Sequence, residues 1–153
     1  MRLSTQTNFA VRTLVYCAVS GNELNRVGDM ARAFGISDMF LFKIIVPLTR
    51  NGLLETVRGR RGGVRLARPA PAINLLEVIR LTEDGFALSE CFTHDREKCP
   101  FKDRCAYTNA LDRALEAFQS VLAEYTIADL AGNPDLESAL NIIALPQGQR
   151  RAR

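Results

Sequence analysis

Residues 26–68 of this 153-residue chain read RVGDMARAFGISDMFLFKIIVPLTRNGLLETVRGRRGGVRLAR, and this stretch decides the fold. Its first part predicts a helix that ends at Gly35, because glycine readily takes the left-handed backbone of a tight turn. Ser37 then caps a second helix over residues 37–51, and Ala31 is small where the two helices must cross closely. This combination is typical of a helix-turn-helix in which the second helix is the recognition helix.

The end of the same stretch has the alternating pattern of two short strands, with Leu54, Thr56 and Arg58 on one and Val64 and Leu66 on the other. Between them, GRRGG predicts a hairpin with Arg60 and Arg61 at its tip. An arginine inserted into a narrow minor groove meets a concentrated negative potential. A solvated turn would have the same composition, but a basic hairpin directly after a helix-turn-helix favours a winged helix.

The start of the recognition helix carries the side chains that we expect to face a major groove: Ser37, Asp38, Met39, Phe42 and Lys43. Lys43 can reach guanine or a phosphate, while Met39 or Phe42 can touch a thymine methyl group. Phe42 can equally pack inside the domain, and both interpretations stay open. Pro47 cannot donate a hydrogen bond to the carbonyl of Lys43, so the pattern also predicts a kink in this helix.

Charge is distributed unevenly along the chain. Residues 1–70 carry eleven Lys or Arg against four Asp or Glu, a net charge of +7, whereas residues 71–153 carry nine against thirteen, a net charge of −4. A positive field attracts a polyanion, which favours double-stranded DNA as the partner of the first half. A solvated basic face would give the same count.

Three of the four cysteines form a C-x7-C-x5-C pattern made by Cys91, Cys99 and Cys105. Thiolates grouped this closely indicate metal or redox chemistry, because a buried structural cysteine needs no cysteine neighbours. Zinc requires a fourth ligand. His94 would supply one, although the histidine that closes RNA-binding zinc fingers of this spacing is absent after Cys105. A thiol switch that forms disulfides is a further alternative.

Helical patterns flank these two motifs. Residues 6–20 predict an amphipathic helix with Cys17 on its buried face as a core residue. Asn74 and Glu77 have the spacing of a capping box, which predicts a short helix from Leu75 to about Thr82. A seam of apolar residues in steps of three and four then runs from Tyr107 to Tyr125 and continues for more than two heptads. This seam favours a two-fold homodimer, which would match a pseudo-palindromic operator.

The predicted fold is mainly α with a small β-wing. We predict a winged helix-turn-helix DNA-binding domain (1–68), a linking helix (69–82), a cysteine loop (83–106), a dimerisation helix (107–130) and a flexible tail (131–153). The chain has no apolar run of ~20 residues and no recognisable signal peptide, so we expect a cytoplasmic protein without a membrane partner. One histidine and no recognisable acid–base set argue against an enzyme.

The order of MRLSTQTNFAVR, IVPLTRNGLLETVRGRRGGVRLARP, INLLEVIR and the three cysteines before a long helix resembles the Rrf2 superfamily of bacterial winged-helix regulators. The resemblance covers about residues 1–130. It implies a transcriptional repressor whose iron–sulfur cluster, of the [4Fe-4S] type, is held by Cys91, Cys99 and Cys105. Within the superfamily, the seven-residue cysteine gap and the FLFKIIVPL text are similar to the rhizobial iron regulators, which implies repression of iron-uptake genes when iron is plentiful.

The resemblance also raises the question of the fourth cluster ligand. Relatives use a histidine three residues after the last cysteine, where this chain has Thr108, or an aspartate on the first helix of the other subunit, where it has Asn8. Neither is a strong iron ligand, and Asn8 is the candidate. We therefore expect a labile cluster, whose loss disorders the cysteine loop and releases DNA.

Overall fold

The computed structural model describes residues 2–21, 23–59, 62–89, 92, 99–101, 105–133 and 135–136. The helices are α1 (Thr5–Val19), α2 (Val27–Phe34), α3 (Asp38–Arg50), α4 (Leu75–Thr82), α5 (Ala106–Ala123) and α6 (Ile127–Ala131). Strands β1 (Leu54–Val57) and β2 (Gly63–Leu66) pair antiparallel, and a 3-10 turn spans Ala70–Ala72. The predicted class, mainly α with a small β-wing, is confirmed.

The helix-turn-helix forms from the local signals that predict it. Gly35 ends α2 with a φ of 68°, in the left-handed region. The hydroxyl of Ser37 accepts a hydrogen bond of 3.2 Å from the backbone N–H of Phe40 and so begins α3. Ala31 and Leu41 are both buried, which lets α2 and α3 pack closely. The predicted bounds of both helices are therefore confirmed.

Pro47 lies inside α3, yet the helix continues past it to Arg50. Ile44 and Ile45 before the proline and Leu48 after it are buried in the core. Their packing holds the helix on both sides of the missing hydrogen bond, since tertiary burial can outweigh a local helix-breaking residue. The kink stays a prediction.

The wing is attached to the segment before α2 by a backbone bridge. Asn25 N–H donates to the carbonyl of Val64 at 2.9 Å, and Val64 N–H donates to the carbonyl of Asn25 at 2.8 Å. A Cβ on Gly63 would lie 2.6 Å from that Asn25 carbonyl, so only glycine fits there. The bridge holds β2 against the segment that precedes α2. The predicted tip residues Arg60 and Arg61 lie outside the described residues.

One core joins the winged-helix elements to α6. Leu14 and Cys17 of α1 and Ile127 of α6 are completely buried in it. Cys17 is thus a core residue, as predicted. The packing of α6 directly against α1 has no counterpart in the local pattern, which indicated only a short turn at that point.

Helix α4 has the predicted bounds but a different cap. The Asn74 side chain accepts a hydrogen bond of 2.9 Å from Leu76 N–H, which confirms the N-cap. Glu77 pairs with Arg68 instead of reaching back to Asn74, so the capping-box expectation was wrong there. A complete capping box forms at Thr126 and begins α6.

Among the described residues, helix α5 makes few contacts with other elements. It packs mainly against α4, through contacts that include a 2.7 Å hydrogen bond from Arg80 to Gln119. Thr108 is its one fully buried residue, and Val121, on the predicted apolar seam, is 53% exposed. Within the described residues, no helix combines the length and the apolar character needed to cross a membrane.

Candidate functional site

The residues predicted to face a major groove all lie on the surface at the start of α3. Met39 is 73% exposed and Phe42 is 50% exposed, so Phe42 does not pack inside the domain. Lys43 is exposed as well, while the Ser37 hydroxyl is already occupied by the helix cap. This face therefore offers one cation, one carboxylate and two apolar side chains to a partner.

A groove of about 450 Å³ separates α3 from the wing. Phe42, Val46 and Val57 form much of its apolar wall, and Arg58 stands at its edge on the wing side. Arg26 and Arg50 also line it, although the sequence pattern did not single them out. Their position depends on the Asn25–Val64 bridge and on the packing of α3 against the wing, and neither leaves a local signal.

Two of the three clustered cysteines are described, and both are half-buried. Cys105 directly precedes α5 and makes no capping hydrogen bond of regular geometry. The Thr108 hydroxyl and, after it, the Thr108 backbone N–H nevertheless lower the pKa of the Cys105 thiol. Because the thiolate is the form that ligates metals and attacks disulfides, this environment favours both kinds of chemistry. Cys91 and His94 lie outside the described residues.

The two positions considered for a fourth ligand have different environments. Thr108 is only 6% exposed, and its hydroxyl interacts with Cys105. Asn8 is exposed near the start of α1, where its Nδ2 donates a 2.9 Å hydrogen bond to the Ser4 carbonyl. That bond leaves the side-chain oxygen of Asn8 accessible, so Asn8 remains the candidate.

The sequence pattern did not predict a hydrogen-bond network near Asn8, which is made by Ser4, Thr7, Thr82 and Glu83. Glu83, which ends α4 and begins the cysteine loop, accepts a 2.7 Å hydrogen bond from Ser4 N–H and a second from the Thr7 hydroxyl. The Thr7 hydroxyl also lies 2.8 Å from that of Thr82. Burial raises the pKa of Glu83, but the hydrogen bonds from Thr7 and Ser4 bring it below its usual value. The network ties the start of α1 to the start of the cysteine loop.

The cysteine thiols suit two kinds of chemistry, the binding of a soft metal centre and thiol redox reactions. Cysteine thiolates are preferred ligands of zinc and of iron–sulfur clusters. Cys17 cannot join them, because it is completely buried and its pKa is raised to about 12, chiefly by burial. Among the described residues, which omit Cys91 and His94, no three potential ligands come together. A metal centre at this site would therefore use Cys99, Cys105 and the loop between α4 and α5.

Sequence comparisons connect the chain to known regulators. Residues 3–133 match the profile of Rrf2, described as an iron-dependent transcriptional regulator. Protein aau3 of Rhizobium meliloti is 57% identical over 130 residues, which are 85% of this chain and 84% of that protein. The HTH-type transcriptional regulator NsrR of Bacillus licheniformis is 40% identical over 136 residues, 88% of this chain and 95% of that protein.

Solved structures give the same fold. The oxidized form of Staphylococcus aureus CymR has a TM-score of 0.71 and 27% identity, covering 87% of this chain and 98% of that one. T. potens IscR has a TM-score of 0.70 and 24% identity, covering 91% and 90%, and supports the fold alone. These comparisons do not single out the rhizobial iron-regulator type, which stays a prediction.

Proposed function

The chain belongs to the Rrf2 family of transcriptional regulators, and we propose that it is an iron-responsive repressor that binds operator DNA as a homodimer. The observation that carries this proposal is the place of Cys105. It precedes α5 directly, and α5 exposes the apolar seam predicted to form the dimer. Occupation of the cysteine site is thereby linked, through one helix, to the spacing of two recognition helices.

The residues proposed to hold the cluster, of the [4Fe-4S] type, are Cys91, Cys99 and Cys105. When bound, the cluster would supply an iron centre whose occupancy depends on the iron supply. The lowered pKa of Cys105 favours the ligating thiolate. Asn8 of the partner subunit or an exogenous group would fill the fourth position, and a ligand this weak makes iron release easy. The genes repressed would be those for iron uptake.

On the DNA side, the proposed contacts divide between two grooves. Ser37, Asp38, Met39, Phe42 and Lys43 would face the major groove. Arg58, Arg60 and Arg61 would approach the minor groove from the wing. Surface exposure of the α3 side chains and the positive charge of the first half of the chain support this assignment. Two such sets, related by a two-fold axis, suit a pseudo-palindromic operator.

The Glu83 network offers a route from the cysteine loop to the DNA-binding domain. Glu83 begins the loop and bonds to Ser4 and Thr7 at the start of α1. Helix α1 packs in turn against α3. A change in the ordering of the cysteine loop would therefore be transmitted through α1 to the recognition helix α3.

Single replacements of the cysteines test the proposal. We expect Cys91→Ala, Cys99→Ala and Cys105→Ala each to abolish the visible absorption of anaerobically purified protein and its tight operator binding. Cys17→Ala is the matched control, because it removes a thiol from the core and should retain both properties. Operator binding at wild-type strength by the cluster-free triple variant would contradict the proposal, as would zinc without iron or sulfide.

A thiol switch is the second candidate. The lowered pKa of Cys105 and the similarity to an oxidized form of CymR favour it. The two functions respond to different treatments. Under the primary proposal an iron chelator releases DNA in the absence of oxidant. A thiol switch would keep its DNA under chelation and lose it only on oxidation.

A further inference from the structure

Three arginines from separate segments surround the groove between α3 and the wing. Arg26 directly precedes α2, Arg50 ends α3 and Arg58 follows β1. All three are exposed, and within the described residues none forms an ion pair, unlike Arg32, Arg65 and Arg68. Unpaired guanidinium groups around one groove form a site for an anion with several charges.

The wall of the groove is apolar and well exposed. Phe42 and Val46 project from α3, and Val57 projects from the wing. The occupant should therefore combine apolar surface with negative charge. A deoxyribose–phosphate strand has both.

The geometry of the groove suits a continuous strand. The Asn25–Val64 bridge holds Arg26 beside the wing, and Arg50 is the last residue of α3. The cations that line the groove thus come from three separate segments of the chain. A small ligand would normally be buried over most of its surface, whereas a DNA strand runs along an open groove and continues beyond it.

We infer that this groove holds one sugar–phosphate strand of the DNA duplex, with Arg26 and Arg50 as phosphate-contacting residues. Phe42, Val46 and Val57 pack against the sugar carbons. The inference rests on the proposed DNA-binding function and adds positioning residues to it. These contacts fix the depth of α3 in the major groove and carry no sequence information, because every nucleotide has the same sugar and phosphate.

The test compares Arg26→Ala and Arg50→Ala with Arg32→Ala in the full-length, cluster-loaded protein. Arg32 is the matched control, since it is exposed on α2, is paired with Asp29 and does not line the groove. Binding is measured over a range of salt concentrations to two duplexes. One is selected from a random pool by the wild type, and the other has the same length and a scrambled sequence.

We expect each groove variant to weaken binding to both duplexes by about tenfold, as for the loss of a charge-assisted hydrogen bond. The slope of log affinity against log salt should become shallower by about one per arginine. Arg32→Ala should change both quantities much less. Val46→Glu, which places a negative charge on an exposed wall, should also weaken binding to both duplexes while the thermal unfolding temperature stays close to that of the wild type.

Two outcomes overturn the inference while the wild type still binds its selected duplex. In the first, both groove variants keep the affinity and salt slope of Arg32→Ala. In the second, they weaken only the selected duplex, which would assign base reading to these arginines. Displacement of DNA by decanoate, with unchanged salt slopes in the variants, would assign the groove to a small amphipathic anion instead. Failure of the wild type to bind either duplex would overturn the proposed function itself.

Discussion

The recognition helix α3 and the long helix α5 are both amphipathic, but among the described residues α3 is buried far more completely than α5. Leu41, Ile44, Ile45 and Leu48 of α3 are almost completely buried. In α5 the one buried residue is Thr108, and the residues of the predicted apolar seam are half-buried or exposed. The winged-helix elements therefore pack around a well-buried core, whereas α5 leaves apolar side chains available for the second subunit and the cysteine site of the proposed function.

Truncation of a core side chain should give the largest difference between α3 and α5, measured as loss of the free energy of unfolding. Leu41→Ala leaves a cavity in a fully buried site, and we expect the free energy of unfolding to fall by about 2–5 kcal/mol. Leu115→Ala, on the half-buried side of α5, should cost much less within one subunit. Chemical denaturation measures both, and equal losses at a concentration where both variants are monomeric would contradict the difference in packing.

A negative charge on the apolar seam of α5 should disrupt the predicted subunit interface without unfolding the winged-helix part of the chain. Val121→Asp places a carboxylate where we predict a subunit interface, and burying an unpaired charge is costly. We expect the dimer to dissociate and operator affinity to fall, while the circular dichroism spectrum changes little. Sedimentation measures the oligomeric state.

Ser120→Asp is the control for the seam variant, because it adds the same charge at an exposed position on a face of α5 that points away from the seam. It should stay dimeric. If Val121→Asp dimerises as tightly as the wild type, α5 does not form the subunit interface.

The Glu83 network joins the two halves, and its loss should have a smaller effect. Thr7→Val removes a buried hydroxyl that bonds to Glu83 and Thr82, at a cost of about 1–3 kcal/mol for groups left unpaired. Denaturation at neutral pH measures this loss. A variant as stable as the wild type would show that water replaces the hydroxyl.

The same network predicts a dependence on pH. Because the folded-state pKa of Glu83 is lowered, its carboxylate stabilises the fold above the unfolded-state pKa, and this contribution is lost as the pH falls through the folded-state pKa. The stability difference between the wild type and Glu83→Gln should therefore be present at neutral pH and shrink in acid. A difference that grows on acidification would contradict the assignment.

Cysteine labelling should distinguish Cys17 from Cys105 with the smallest effect on the structure. Cys17 is buried and its pKa is raised to about 12, so it should stay unmodified by iodoacetamide in the folded, cluster-free protein at neutral pH. Cys105, with a lowered pKa, should be alkylated readily. Peptide mass spectrometry reads each site. Rapid alkylation of Cys17 under native conditions would show that the first half opens more easily than its packing indicates.

The parts of the fold that were predictable have local causes. Gly35 and Ser37 define a turn and a cap within a few residues, and the periodicity around Cys17 reports one buried face. The Asn25–Val64 bridge and the docking of α6 on α1 join segments far apart in sequence, and no short pattern encodes them. The groove arginines and the Glu83 network depend on those long-range contacts. The exposure of Phe42 likewise follows from how α3 packs.

We propose above all that occupation of the cysteine site controls DNA binding. Wild-type protein purified without oxygen should be titrated with an iron chelator while visible absorption, iron content and affinity for its selected duplex are followed in the same samples. We expect absorption and affinity to fall together and iron and sulfide to restore both. Undiminished affinity after the absorption and iron have gone would contradict it.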